Sequence, residues 1–403
     1  MSEEIENAAN YYNVHYKSDA EYVIYVAKTM LTIIGIWPRD DTYLDNVETY
    51  VQTGIIFFLM CFLLIPHAIY TYMDCEDLTR YMKVIAAQVF SLLAIIKFWT
   101  LIVNRRIIKF CLTKMEVQYR DVECEADRLV LKNSAKVGRF FTMVYLALTY
   151  SGALPYHIIL PLVSERIVKK DNTTQIPLPY LSNYVFFVIE DSPIYEITFV
   201  LQMVISTIIL FTNCGIYSLI ASITMHCCGL FEVTNRRIQT LTWDTRSLHD
   251  GVVDIVQCHL KAIEYSALIG NSLSVVFLTE IVGCTVIICF LEYGVIVEWE
   301  EHKPFSTLTY FLLMISIFVN VFIISYIGDR LKHESGKVGE TTYFLPWYDF
   351  PGDIVQDIRT IIIRTSQPSG LSGAKLLDVS LLAFCDVCKT SATYLNFLRA
   401  MTV

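Results

Sequence analysis

Residues 197–231 read ITFVLQMVISTIILFTNCGIYSLIASITMHCCGLF, 35 positions without one Asp, Glu, Lys or Arg. About 20 apolar residues carry a helix across roughly 30 Å of hydrocarbon, so this run reads as a membrane helix. At 1.5 Å per residue it would reach about 50 Å, more than tilt absorbs. The reading predicts a helix that leaves the bilayer and packs on another part of the protein there. The alternative is a break near Asn213-Cys214-Gly215.

Outward from this run lie five more of membrane length: 49–73 with Pro66 as a tolerated kink, 84–104, 140–164, 265–291 and 305–328. A seventh, from about 376 to 401, carries Asp378, Asp386 and Lys389 and is the poorest in apolar character, as suits a helix facing water inside a pore. The chain is 54 % hydrophobic and only 18 % charged, where soluble domains are nearer a quarter charged. The fold class is therefore all-α: a polytopic membrane protein with seven transmembrane helices. Its segments are 1–48, a cytosolic N-terminal segment; 49–328, the first six spans with a ligand pocket in their outer half; 329–375, a cytosolic anchor; and 376–403, the pore-lining helix.

Orientation follows from three features. Met1-Ser2-Glu3-Glu4-Ile5-Glu6 lacks the basic and apolar regions of a cleaved signal, which predicts a cytosolic N-terminus. Arg105, Arg106, Lys109, Arg236, Arg237 and Arg330 then fall on the cytosolic side. Asn172-Thr173-Thr174, the one N-x-S/T sequon, falls outside, which makes Asn172 a glycosylation candidate. An odd number of spans puts the C-terminus outside.

Several function classes are excluded. A net charge of −9 gives no nucleic-acid footprint. Twelve cysteines lack metal-ligand spacing, so neither metal nor cofactor is expected. No H-E-x-x-H, G-x-S-x-G or Walker sequence supports an enzyme. A G-protein-coupled receptor is also excluded, since no D-R-Y-like triplet ends the third span and Asn-Pro occurs nowhere in the chain.

Charge inside a span costs several kcal/mol unless paired or hydrated. Lys97, two turns from Arg105, is expected to snorkel to the cytosolic interface. Glu280, near the middle of the fifth run, is expected to face protein or water, with a water-filled pathway as the sharper option. Asp386 and Lys389, three apart, can pair along one helical face.

The outer halves of the spans are rich in aromatics and methionine. Thr149, Gly152 and Tyr156 share one face of the third helix, at spacings of three and four. Phe90 from the second helix, Phe199 and Met203 from the fourth and Tyr310 from the sixth are placed around them. Ordinary packing explains any one of these; together they predict an apolar pocket for a small hydrophobic ligand. Ile354, Ile358, Ile361 and Ile362 form a stripe on a cytosolic helix, read as a subunit contact, with an interfacial helix on the lipid surface as the plainer explanation.

Gly35-Ile36-Trp37-Pro38 resembles the leader of insect odorant receptors. Trp347-Tyr348, Arg364, Ser366-Gln367-Pro368, Leu371, Phe384, Lys389, Ser391, Tyr394 and Leu398 follow that family's C-terminal pattern in order. The resemblance covers nearly the whole chain. It implies an odorant-gated, nonselective cation channel in the plasma membrane of olfactory neurons, assembled as a tetramer with the odorant receptor co-receptor. The short 232–264 loop separates this chain from the co-receptor itself. By distance from Thr393-Tyr394, the resemblance places Asn396, Phe397 and Ala400 at the pore, as a polar site, a gate and a vestibule residue. A gustatory receptor is the runner-up, but Ala400-Met401 stands where its Gln-Phe would fall. A transporter would predict inverted repeats and discontinuous helices, which the sequence does not display.

Overall fold

Uncharged runs of this length fold as helices because every backbone polar group must be satisfied within its own segment. The computed structural model describes residues 12–38, 43–73, 78–163, 167–168, 174–185, 189, 192–241 and 245–402. In chain order the helices are α1 (Tyr16–Ile33), α2 (Tyr43–Met73), α3 (Leu78–Val103), α4 (Arg105–Arg120) and α5 (Glu125–Leu154). A π turn at Pro155–Ile159 and the short α6 (Leu160–Val163) continue α5. Then come α7 (Ile194–Gln239), α8 (Thr245–Glu300), α9 (Pro304–Tyr343), α10 (Gly352–Thr365) and α11 (Leu381–Thr402). Two antiparallel ribbons pair β1 (Ile167–Val168) with β2 (Thr174–Gln175) and β3 (Ser372–Gly373) with β4 (Leu377–Asp378).

Among the described residues six helices are long and apolar enough to cross a membrane: α2, α3, α5 with its continuation, α7, α8 and α9. The seventh, α11, has 22 residues and falls outside that group because charged and hydroxyl side chains interrupt it. It begins at Leu381 rather than near 376. Leu377 and Asp378 belong to β4 instead, with Asp378 3.5 Å from Lys332.

The run quoted at the outset is one unbroken helix of 46 residues, so no break occurs near Asn213. With α8 (56 residues) and α9 (40 residues) it extends past the bundle at one end, here the basal end, where α10 packs against α8 and α9. Ion pairs hold these extensions together: Arg237 bridges Asp127 (2.9 Å) and Asp254 (2.5 Å), and Arg330 meets Glu232 (2.7 Å).

Two details go beyond the sequence reading. The N-terminal segment contains α1, which lies along α7: Ser222 Oγ donates to the Val23 carbonyl (2.8 Å), and Arg128 clamps Asp19 (2.6 Å). The third span, expected over 140–164, runs on through Pro155. A proline nitrogen cannot donate, and the chain absorbs the missing bond in the π turn before continuing into α6.

Candidate functional site

At the opposite, apical end α3, α5, α7, α8 and α9 converge on a cavity of about 60 Å³. Phe90, Thr149, Tyr156 and Tyr310 all line it. The Tyr156 and Tyr310 rings meet edge-on, 6.2 Å apart, and Thr149 Oγ1 lies 3.2 Å from Ser316 Oγ. Gly152 does not reach the cavity. A Cβ there would sit 3.1 Å from the Leu313 backbone nitrogen, so the glycine serves the close approach of α5 and α9. Phe199 and Met203 are also outside the wall; α7 contributes Leu210 instead, and α8, which the sequence reading left out, contributes Ile287 and Leu291. The cavity is far below the roughly 300–1,000 Å³ of typical ligand sites, so an occupant must push side chains aside. At its rim Lys83 is paired with Glu298 (2.7 Å).

A loop closes the apical side. Tyr180 is buried, and Gln202 on α7 binds both its backbone groups, accepting from the nitrogen and donating to the carbonyl, each at 3.1 Å. The fully buried amide thus does for the loop what a neighbouring strand would do. His67 Nδ1 lies 2.7 Å from the Leu181 carbonyl, and Asn183 N donates to the Pro66 carbonyl at 3.0 Å. The Tyr180 ring stacks on His157 with centroids 5.4 Å apart, and both line the cavity. Sequence reasoning missed both: loop residues carry no periodicity, and a π turn shifts the helical phase after Pro155.

One layer below, Lys97 and Glu280 form an ion pair. Lys97 Nζ also donates to Asn213 Oδ1 (2.9 Å), and Asn320 donates to Glu280. All four side chains are buried. Lys97 therefore does not snorkel, because α8 supplies a counter-charge inside the bundle, and Glu280 meets protein rather than a water-filled pathway. Four of the helices that wall the cavity each give one member. Phe90 and Lys97 are seven apart, as are Ile287 and Glu280; Leu210 and Asn213 are three apart, as are Ile317 and Asn320. By helical rise the cluster lies about 5–10 Å below the wall.

On α11, Asn396, Phe397 and Ala400 are exposed, Phe397 at 61 %, on a face the chain itself does not cover. Asp386 and Lys389 pair on its surface at 3.7 Å. The isoleucine stripe is a correction. Ile354 and Ile358 pack against Leu248, Val252 and Phe350, Ile361 joins the main core, and Ile362 is half-buried. The amphipathic α10 spends its apolar face within its own chain, leaving Phe344 and Ile363, with Tyr343 and Tyr348, among the exposed groups nearby. Asn172 lies outside the described residues. Among the described residues no group of His, Cys, Asp and Glu is arranged to hold a metal ion.

The sequence profile of the family described as 7tm Odorant receptor matches residues 77–392. Odorant receptor 10 of Aedes albopictus is 22 % identical over 52 % of this chain and 56 % of its own length. Putative odorant receptor 92a of Drosophila melanogaster is 22 % identical over 36 % of this chain and 35 % of its own. The chain thus spans about half or less of the length of these relatives. The odorant receptor coreceptor of Harpegnathos saltator is 26 % identical over 34 % of this chain and 29 % of its own length. In three dimensions the chain superposes on the insect olfactory receptor OR5 from Machilis hrabei in complex with eugenol, with a TM-score of 0.81 at 15 % identity, covering 96 % of this chain and all of that one.

Proposed function

This chain belongs to the 7tm odorant receptor family, and we propose that it is the odorant-binding subunit of a heteromeric, odorant-gated, nonselective cation channel. The observation that carries the proposal is the linkage of two features by α8 and α9. Both helices wall the cavity, and both also pack against α11, whose outer face is left uncovered. An occupant that spreads the cavity thereby acts on the helix proposed to line the pore.

In this reading the basal end is cytosolic, the cavity lies in the outer half of the bundle, and the C-terminus is extracellular. Asn396, Phe397 and Ala400 approach the axis of a tetramer completed by the odorant receptor co-receptor, in the plasma membrane of olfactory neurons. Helix α11 has too few residues turned inward to be a packed core helix, which supports a role beside water. The ligand is a small, mostly apolar volatile. Dispersion and burial supply about 25 cal/mol per Å² of apolar surface, so shape and length should rank ligands.

The test is current evoked by a volatile panel in cells expressing the chain with the co-receptor. Ligand-evoked currents that persist after coupled-ion gradients are collapsed are expected of a channel, and their loss would favour a transporter. Phe397→Cys should make the current sensitive to aqueous thiol reagents; state-independent, unchanged current would remove Phe397 from the pore.

A further inference from the structure

The cavity is apolar over most of its wall, but His157 is not. It sits in the π turn, a deviation of the helix often found at functional sites. The residue is 7 % exposed, lines the cavity, and is framed by Tyr156 edge-on (5.2 Å) and Tyr180 stacked (5.4 Å). Its Nδ1 is buried without a hydrogen-bond partner among the described residues. Burying a polar group without a partner costs free energy, and native proteins nearly always satisfy such atoms. Of the other polar side chains of the wall, Thr149 meets Ser316 and Lys83 meets Glu298, while Tyr156, Tyr180 and Tyr310 add phenol hydroxyls.

We propose that His157 is the polar specificity contact of this cavity, hydrogen-bonding a hydroxyl group on an otherwise apolar ligand. A neutral imidazole holds one N–H and one bare nitrogen. A hydroxyl can donate to the bare nitrogen or accept from the N–H, so it suits either tautomer. An ether or carbonyl oxygen suits only the donor, and an alkane neither. The Tyr180 loop adds to this selectivity by keeping water from the ring: the loop is held by Gln202 and His67, so bulk solvent does not compete for the imidazole.

The inference rests on the cavity being the odorant site, and the experiment separates the two. Volatile alcohols, each matched by its methyl ether and alkane, are applied to cells expressing the chain with the co-receptor, and the current is read as a dose–response curve. Wild type should respond to alcohols at concentrations about 3- to 10-fold lower than to their ethers, the span of one net hydrogen bond. His157→Phe keeps a ring but removes both nitrogens, and should erase that ratio while leaving alkane sensitivity within about twofold. His157→Gln keeps a donor and an acceptor and should retain the preference; its loss there, at normal surface level, counts against hydrogen bonding. Alcohols no better than ethers in wild type, or a ratio that survives in His157→Phe, overturns the inference and leaves the receptor reading standing. If surface-expressed wild type answers no volatile of any class, the receptor reading fails and this one with it.

Discussion

A single lysine shows how much one residue can hide. Lys97 invites snorkelling when read along its own helix, because the counter-charge is 183 positions away at Glu280. Removing one partner of a buried pair leaves an uncompensated charge and costs about 3–5 kcal/mol, whereas replacing both by apolar residues is often neutral. Lys97→Met or Glu280→Leu alone should therefore abolish most surface expression, and the double variant should recover it. Equal defects in all three variants would show that the pair does not act as a unit. The pocket was half legible for a related reason. The spacing of Thr149 and Tyr156 gives their shared face directly, whereas the rotation of α7 about its axis depends on packing that one helix does not reveal. Met203→Ala should therefore leave the ranking of active odorants unchanged. Gly152→Leu should lower receptor abundance instead, since a side chain there meets the Leu313 backbone and overpacking typically costs about 1–3 kcal/mol or more.

Whole elements were easier to read than their partners. Apolar runs located the six helices that are long and apolar enough to cross a membrane, because the bilayer demands both properties, and residues 197–231 correctly implied a helix too long for the membrane. Amphipathic helices were read less well: periodicity gives an apolar face but not what covers it. For α10 the cover is the basal end of its own chain, so Ile358→Asp, at a site 1 % exposed, should destabilise the fold and lower total receptor rather than impair co-assembly selectively. Normal receptor abundance with selective loss of the partner would reverse that conclusion. Helix α1 has a titratable fastening. Burial raises the Asp19 carboxyl, but hydrogen bonds from Arg128 and Asn13, with the charges of Arg128 and Lys132, together outweigh it and hold the group below its ordinary 3.8. With the folded value depressed, this stabilisation is present above about pH 4 and is lost as pH falls through the lower value. Asp19→Asn should release α1 at neutral pH, seen as faster amide exchange over 16–33. Unchanged exchange would show that the clamp is dispensable.

For the whole molecule, the apolar surface left over is as informative as the surface buried. Phe344, at the end of α9, and Ile363, on α10, are 76 % and 71 % exposed, away from the chain's own core. A charge at either position should reduce co-purification with the co-receptor while receptor abundance holds; unaltered co-purification would place the contact elsewhere. The extreme C-terminal helix is bound to the rest very unevenly. At its root Val379 is buried against Gly328, at a spacing that leaves no space for a Cβ, and its nitrogen bonds the Leu371 carbonyl (3.0 Å). Beyond Ser391 no described residue of α11 is buried. A beam held more firmly at one end than at the other magnifies small rotations. Over the roughly 16 Å of helix beyond Ser391, a tilt of a few degrees swings the tip by about 1 Å. In a chain built this way, the size of a ligand and the size of the response it evokes need not run together.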